Sequence, residues 1–153
     1  KGKILLDGHS PDDHPKNQRH FLAICEQGVA LVDGTVKDQI TLYDDTITAE
    51  IIDKALAMVG LTDIVKNLPK GLNTPVSDIN LSQGQLQLLM IARSVVCDPQ
   101  ILLLDEMTAS LDRETEAKVL KAIDVASSGR TVLSISHRRG AHDGRIIKLQ
   151  QIT

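Results

Sequence analysis

Tryptophan is absent, and Phe21 and Tyr43 are the only aromatic residues among 153. Any core must therefore be built from Leu, Ile, Val and Ala, which a hydrophobic content of 42% supplies. Cysteine is scarce. Cys25 and Cys97 make no disulfide framework and lie in apolar stretches, so buried thiols in a reduced, cytosolic setting fit them best. Positive charge is not in excess: the net charge of -3 argues against a nucleic-acid surface driven by bulk charge. No apolar run approaches the roughly 20 residues of a membrane helix. The opening Lys1-Gly2-Lys3-Ile4-Leu5-Leu6-Asp7 breaks into charge and turn residues too soon for a signal peptide. Length and composition predict one soluble domain, with any membrane role arriving through a partner.

What is present is an alternation of apolar runs and helical patterns. Lys3–Leu6 predicts a short strand and residues 9–20 a polar loop. His9, His14 and His20 fall in that loop at irregular spacing without a completing cysteine or acid, which predicts no metal site. Phe21–Cys25 is a continuous apolar run, as in a strand buried on both faces. Residues 46–97 read as helical. Thr48 caps a first helix that Gly60 ends, and Thr62 caps a second that Leu68-Pro69 stops. Ser82 caps a long, mostly apolar helix that runs to about Cys97, before Asp98-Pro99. Strand 101–105, a helix capped by Asp112, strand 131–136 and strand 145–149 complete the order. Strand–helix–strand order predicts an α/β fold with a parallel sheet.

Two segments carry chemistry. Ile101-Leu102-Leu103-Leu104 places a strand in the sheet centre, and Asp105 and Glu106 then emerge at its C-terminal edge, where open α/β sheets bind ligands. Asp105 suits Mg²⁺, because hard cations prefer carboxylate and water oxygens. Glu106 suits the orientation or deprotonation of an attacking water. Upstream, Leu81-Ser82-Gln83-Gly84-Gln85 opens the long helix. A serine hydroxyl, a glycine that lets a ligand come close, and a helix N-terminus make an anion site. Either segment alone has an ordinary structural reading: a strand-to-loop transition in one case, a serine N-cap in the other. It is their occurrence in one order, with Ala109-Ser110-Leu111-Asp112 behind them, that argues for phosphate chemistry.

In that arrangement the chain resembles the ATP-binding cassette (ABC) family of transporter ATPases. Leu81–Gln85 resembles the signature loop, with Gln83 in place of the usual first glycine. Residues 101–106 resemble the Walker B motif and 109–112 the D-loop. Gln27 resembles the Q-loop glutamine and His137 the switch histidine; Val32-Asp33-Gly34-Thr35-Val36 resembles the segment after that glutamine in exporter-type members. The resemblance implies a RecA-like P-loop NTPase core at 1–40 and 98–153, with an inserted helical signature subdomain at 41–97. It implies ATP and Mg²⁺ as cofactors, with Glu106, His137 and Gln27 catalytic and Asp105 and Gln27 at the metal. Leu81, Ser82, Gln83, Gly84, Gln85 and Asp112 are implied at the nucleotide. The implied partners are a transmembrane domain, fused or separate, and a second nucleotide-binding domain in a dimer. No nucleic-acid partner is implied, and the implied location is the cytoplasmic side of the cell membrane.

One family element is absent: no Gly-x-x-x-x-Gly-Lys-Ser/Thr loop occurs, since Gly2-Lys3 is followed by Ile4. The expectation is a C-terminal piece of a nucleotide-binding domain, cut after the phosphate loop and inactive by itself. The strand beside 131–136 would then be missing, so Arg145–Leu149 is expected to shift over the open edge, or two chains to associate there. The segment from Thr74 to Leu81 is short and lacks the Gly-Glu-x-Gly pattern of exporters. Two alternative functions share parts of this pattern. A DNA-repair or chromosome-type ABC ATPase would carry coiled-coil heptads between Gln27 and Ser82, where this chain has short helices. A non-catalytic dimerisation or regulatory module would have no use for Glu106 and His137.

Overall fold

The computed structural model describes residues 3–6, 8, 10, 18–26, 28, 30–108, 111–135 and 145–147. Three strands, β1 (Leu22–Cys25), β2 (Ile101–Asp105) and β3 (Thr131–Ile135), form a parallel sheet in the order β1-β2-β3. The aliphatic run at 101–104 does occupy the central strand. Between β1 and β2 lie α1 (Val36–Thr41), α2 (Ala49–Val59), α3 (Thr62–Lys66) and α4 (Gln83–Val95); α5 (Arg113–Ser127) connects β2 to β3.

The register aligns Ala23 with Leu102 and Cys25 with Leu104, and Leu102 with Val132. Successive residues of a strand face opposite sides, so these residues share one face. It is the covered one: Cys25, Leu102 and Leu104 are buried, and Ala23 and Val132 pack against the same core. α4 packs on β1 and against α1, α2 and α5. The opposite face is different. Ile24, Leu133 and Ile135 are 53%, 56% and 58% exposed, so the strand expected to be buried on both faces is buried on one.

Local sequence explains most element ends. Gly60 ends α2 in a left-handed conformation at φ 73, where its N–H closes back on Leu56 and Ala57 carbonyls. Thr48 occupies the N-cap position of α2 but its side chain makes no capping hydrogen bond to the helix. Thr62 does not cap α3. Leu61 holds that position, and the Thr62 hydroxyl is buried without a hydrogen-bond partner among the described residues. α4 stops at Val95, two residues short of the expected Cys97. Lys3–Leu5 form no strand, and Arg145–Ile147 are exposed and irregular, with Ile146 79% exposed. Residues 145–147 therefore do not cover the edge of β3; Lys148 and Leu149 lie outside the described residues, as do His9 and His14.

A fully buried glutamine ties the loop before α1 to the helices. Gln39 Nε2 donates to the Val32 carbonyl at 2.6 Å, and its Oε1 accepts from Val32 N–H at 2.9 Å. Arg93, near the end of α4, donates to the Gln39 side chain at 2.9 Å, to the Ala30 carbonyl at 2.7 Å and to the Gln39 carbonyl. Arg19 donates to the carbonyls of Thr41, Ile40 and Arg93. His20 is not merely solvated loop: its Nδ1 lies 2.6 Å from the Cys97 carbonyl, just past α4.

Both cysteines are buried and free. Burial pushes the Cys25 thiol up to about 11, against a smaller opposing effect of its 2.9 Å hydrogen bond to Ser94. Iodoacetamide at about pH 8 is expected to leave both thiols of the folded chain unmodified, because only thiolate reacts. Mass spectrometry should find both alkylated after unfolding. The stabilising preference for neutral Cys25 is complete below 9.0 and fades as pH rises through about 11, since the folded value is the raised one.

Candidate functional site

β2 ends at Asp105, which is exposed. Glu106 N–H still bonds the Ile135 carbonyl at 3.1 Å, one step beyond the ladder, but its φ of 43 turns the chain out of the sheet. A non-glycine residue in that region is strained and persists only where its surroundings fix it. Here the fixing group is the end of β3. The two carboxylates thus sit where strand pairing ends, at the C-terminal edge of the sheet.

Ser82 stands at the N-cap of α4 in an extended conformation, as expected. Its Oγ accepts from the Gln85 N–H at 3.2 Å, and Gln85 Oε1 accepts from the Ser82 N–H at 2.8 Å. This capping box uses the acceptor side of the hydroxyl and leaves its proton to donate. Gln83 and Gly84 N–H groups lie in the first turn, where no helical carbonyl precedes them. Leu81 packs against the core, whereas Ser82 and Gln83 are exposed. The turn therefore has an anchored base and outward donors at Ser82 and Gln83, suited to anionic oxygen.

Asp112 caps α5 by accepting from the Glu114 and Thr115 N–H groups, both at 3.1 Å. The Thr115 side chain and then its N–H hold the Asp112 carboxyl below its ordinary value. Gly84 is buried in a way the sequence did not announce. A Cβ placed there would lie 2.1 Å from Thr115 Cγ2. Its lack of a side chain is required by α5 rather than by backbone conformation, so the Ser82 turn and the Asp112 cap adjoin. Gln27 and His137, with Ala109 and Ser110, lie outside the described residues; in sequence Gln27 and His137 each follow the last residue of β1 or β3 by two positions.

A family model described as ABC transporter matches residues 1–109. The chain belongs to the ABC transporter family. A probable multidrug resistance ABC transporter ATP-binding/permease protein of Bacillus subtilis is 43% identical over 141 residues, covering 90% of this chain and 21% of that protein. The ATP-dependent lipid A-core flippase of Cupriavidus pinatubonensis is 41% identical over 143 residues, 90% of this chain and 24% of that protein. Among solved structures, a bacterial Atm1-family ABC exporter with ATP bound superimposes with a TM-score of 0.74 at 34% identity. It covers 90% of this chain and 25% of that one. This ABC transporter chain thus spans about a fifth to a quarter of the length of these relatives. Its parallel sheet and helices are those of an ABC exporter nucleotide-binding domain, a P-loop NTPase fold. Among the described residues no helix is long and apolar enough to cross a membrane.

Proposed function

We propose that this chain is part of the ATP-hydrolysing subunit of an ABC exporter, coupling ATP hydrolysis to transport across a membrane from its cytoplasmic side. The observation that carries this reading is the juxtaposition of the Ser82 turn and the Asp112 cap, in a chain whose central strand ends in Asp105-Glu106. Residues 1–40 and 98–153 are read as the RecA-like part and 41–97 as the helical signature part.

Each residue has a role that its chemistry suits. Glu106 orients or deprotonates the lytic water. Gln27 and His137 complete the site, the first toward metal or water, the second as a hydrogen-bond donor to developing charge on phosphate. Leu81, Ser82, Gln83, Gly84 and Gln85 present the anion-binding turn to ATP held by a second nucleotide-binding domain, with Asp112 beside it. The exposed Asp105 carboxylate is a hard oxygen donor with room for water, so it fits Mg²⁺, with Gln27 as the further ligand. When bound, that ion offsets charge on the phosphates.

The proposed partner for transport is a transmembrane domain, and the Bacillus subtilis relative is named as an ATP-binding/permease protein. Leu42 and Tyr43, exposed after α1, offer an apolar surface for it; Leu42 lines a cavity of about 180 Å³ with Arg19, Ile24 and Arg93.

These residues include no glycine-rich Lys-Ser/Thr loop. Such a loop supplies the lysine and the N–H cradle for the triphosphate. Calorimetry on this chain alone should therefore give a Kd for MgATP weaker than about 1 mM. A micromolar Kd would sink the assignment of the missing cradle as the main source of affinity.

A further inference from the structure

We propose that Thr115 is a positioning residue that locks the Ser82 turn and the Asp112 cap into one arrangement, its methyl group filling the notch at Gly84. The inference rests on reading Ser82 and Asp112 as nucleotide-facing, and it adds a residue that the motifs do not include.

The contact is confined to one methyl group. A Cβ at position 84 would meet Thr115 Cγ2 at 2.1 Å, but Thr115 Cβ at 3.5 Å and Oγ1 at 3.9 Å, both ordinary separations. Gly84 has no left-handed backbone that would demand glycine. Glycine is also a poor helix former, so the helix itself gains nothing from it. What it provides is close approach of α4 to α5. Thr115 cannot easily turn its methyl away. It is β-branched, with few allowed χ1 rotamers in a helix, and its backbone N–H donates to the Asp112 carboxylate at 3.1 Å. One residue therefore touches both turns, its methyl at Gly84 and its N–H at Asp112. Gly84 follows Ser82 by two residues, and Thr115 follows Asp112 by three, so the contact lies within the first turn of each helix. Displacement of either turn by even about 1 Å would misplace the groups it carries, which is enough to slow a positioned reaction strongly.

The test is a cycle of Gly84→Ala, Thr115→Ser and the pair. Gly84→Ala overpacks the notch and should lower Tm by roughly 3 to 10 °C. In the pair, the alanine methyl takes the place of Cγ2, and Tm should return to within about 2 °C of the unmodified chain. MgATP turnover in the assembled ATPase should follow a pattern that stability alone does not give. Thr115→Ser, with Tm nearly unchanged, should lower kcat about threefold at constant KM, and the pair should recover to within about twofold. A pair with restored Tm and kcat still as low as Gly84→Ala would overturn the positioning role, as would full activity in Thr115→Ser. No turnover in the unmodified assembly would overturn the nucleotide reading itself, and the proposal with it.

Discussion

Glu106→Gln in the assembled ATPase is expected to lower kcat by about 10² to 10⁴, the range for loss of a general base, while KM for MgATP changes by less than about threefold. The argument starts from the backbone. Glu106 stands at φ 43 with its N–H bonded to the Ile135 carbonyl, so strand pairing fixes its backbone at the sheet edge. An amide of the same shape should keep that place, and unfolding stability should move by no more than about 1.5 kcal/mol, the scale of one hydrogen bond. What changes is the ability to accept a proton, because a carboxamide oxygen is too weak a base. The measurement is turnover against MgATP concentration, paired with thermal unfolding. Retention of more than about a tenth of the turnover would remove Glu106 from the role of base, given the size of such effects. Asp105, one residue earlier, is proposed for the metal, so its amide should respond instead to added Mg²⁺.

The largest expected stability loss among polar substitutions belongs to Arg93→Ala. The Arg93 guanidinium bonds the Gln39 carbonyl, the Gln39 amide oxygen and the Ala30 carbonyl. Its pKa is lowered first by burial and then by Arg19, and all three acceptors are neutral oxygens rather than carboxylates. The group is thus a half-buried cation held by amide oxygens. Its removal leaves the fully buried Gln39 short of donors while Val32 still depends on it. Orphaned buried acceptors cost about 1 to 3 kcal/mol each, and the two Gln39 oxygens are such acceptors whereas the Ala30 carbonyl is exposed, so a total loss of about 3 kcal/mol is expected, read as a lower urea midpoint. Arg93→Lys should recover only part, since one ammonium cannot reach three acceptors with the geometry of a guanidinium fork. A loss under about 0.5 kcal/mol for Arg93→Ala would show that water serves these carbonyls equally well.

The parts of this structure that a sequence shows well are those set by local rules. Ser82, Asp112 and Gly60 act at helix ends through their own backbone neighbourhood, and four aliphatic residues marked β2 as central. α1 escaped notice because six residues are too few for periodicity, although Thr35 and Asp38 form a capping box that marks its start. Thr62 misled because a hydroxyl beside a helix start need not be the cap. The burial of β1 was overestimated: an apolar run does not tell how many layers cover it. The role of Gly84 was legible only in part. Its position in the motif suggested ligand approach, but the partner that requires it, Thr115, is 31 residues away in sequence. Such contacts have no local signal. The Arg93 and Gln39 network is hidden for the same reason.

The sheet's two unlike faces have a consequence for how this domain can be built upon. α4 packs against the side that carries Cys25, Leu102 and Leu104, and α1, α2 and α5 gather on α4. Ile24, Leu133 and Ile135 look the other way. A further layer can therefore be laid on that side, or exchanged for another, without repacking the helical half that fixes the relative placement of its two loops. In a library of grafted partners, the aliphatic side is the place for variation, and the α4–α5 seam is the part to leave alone.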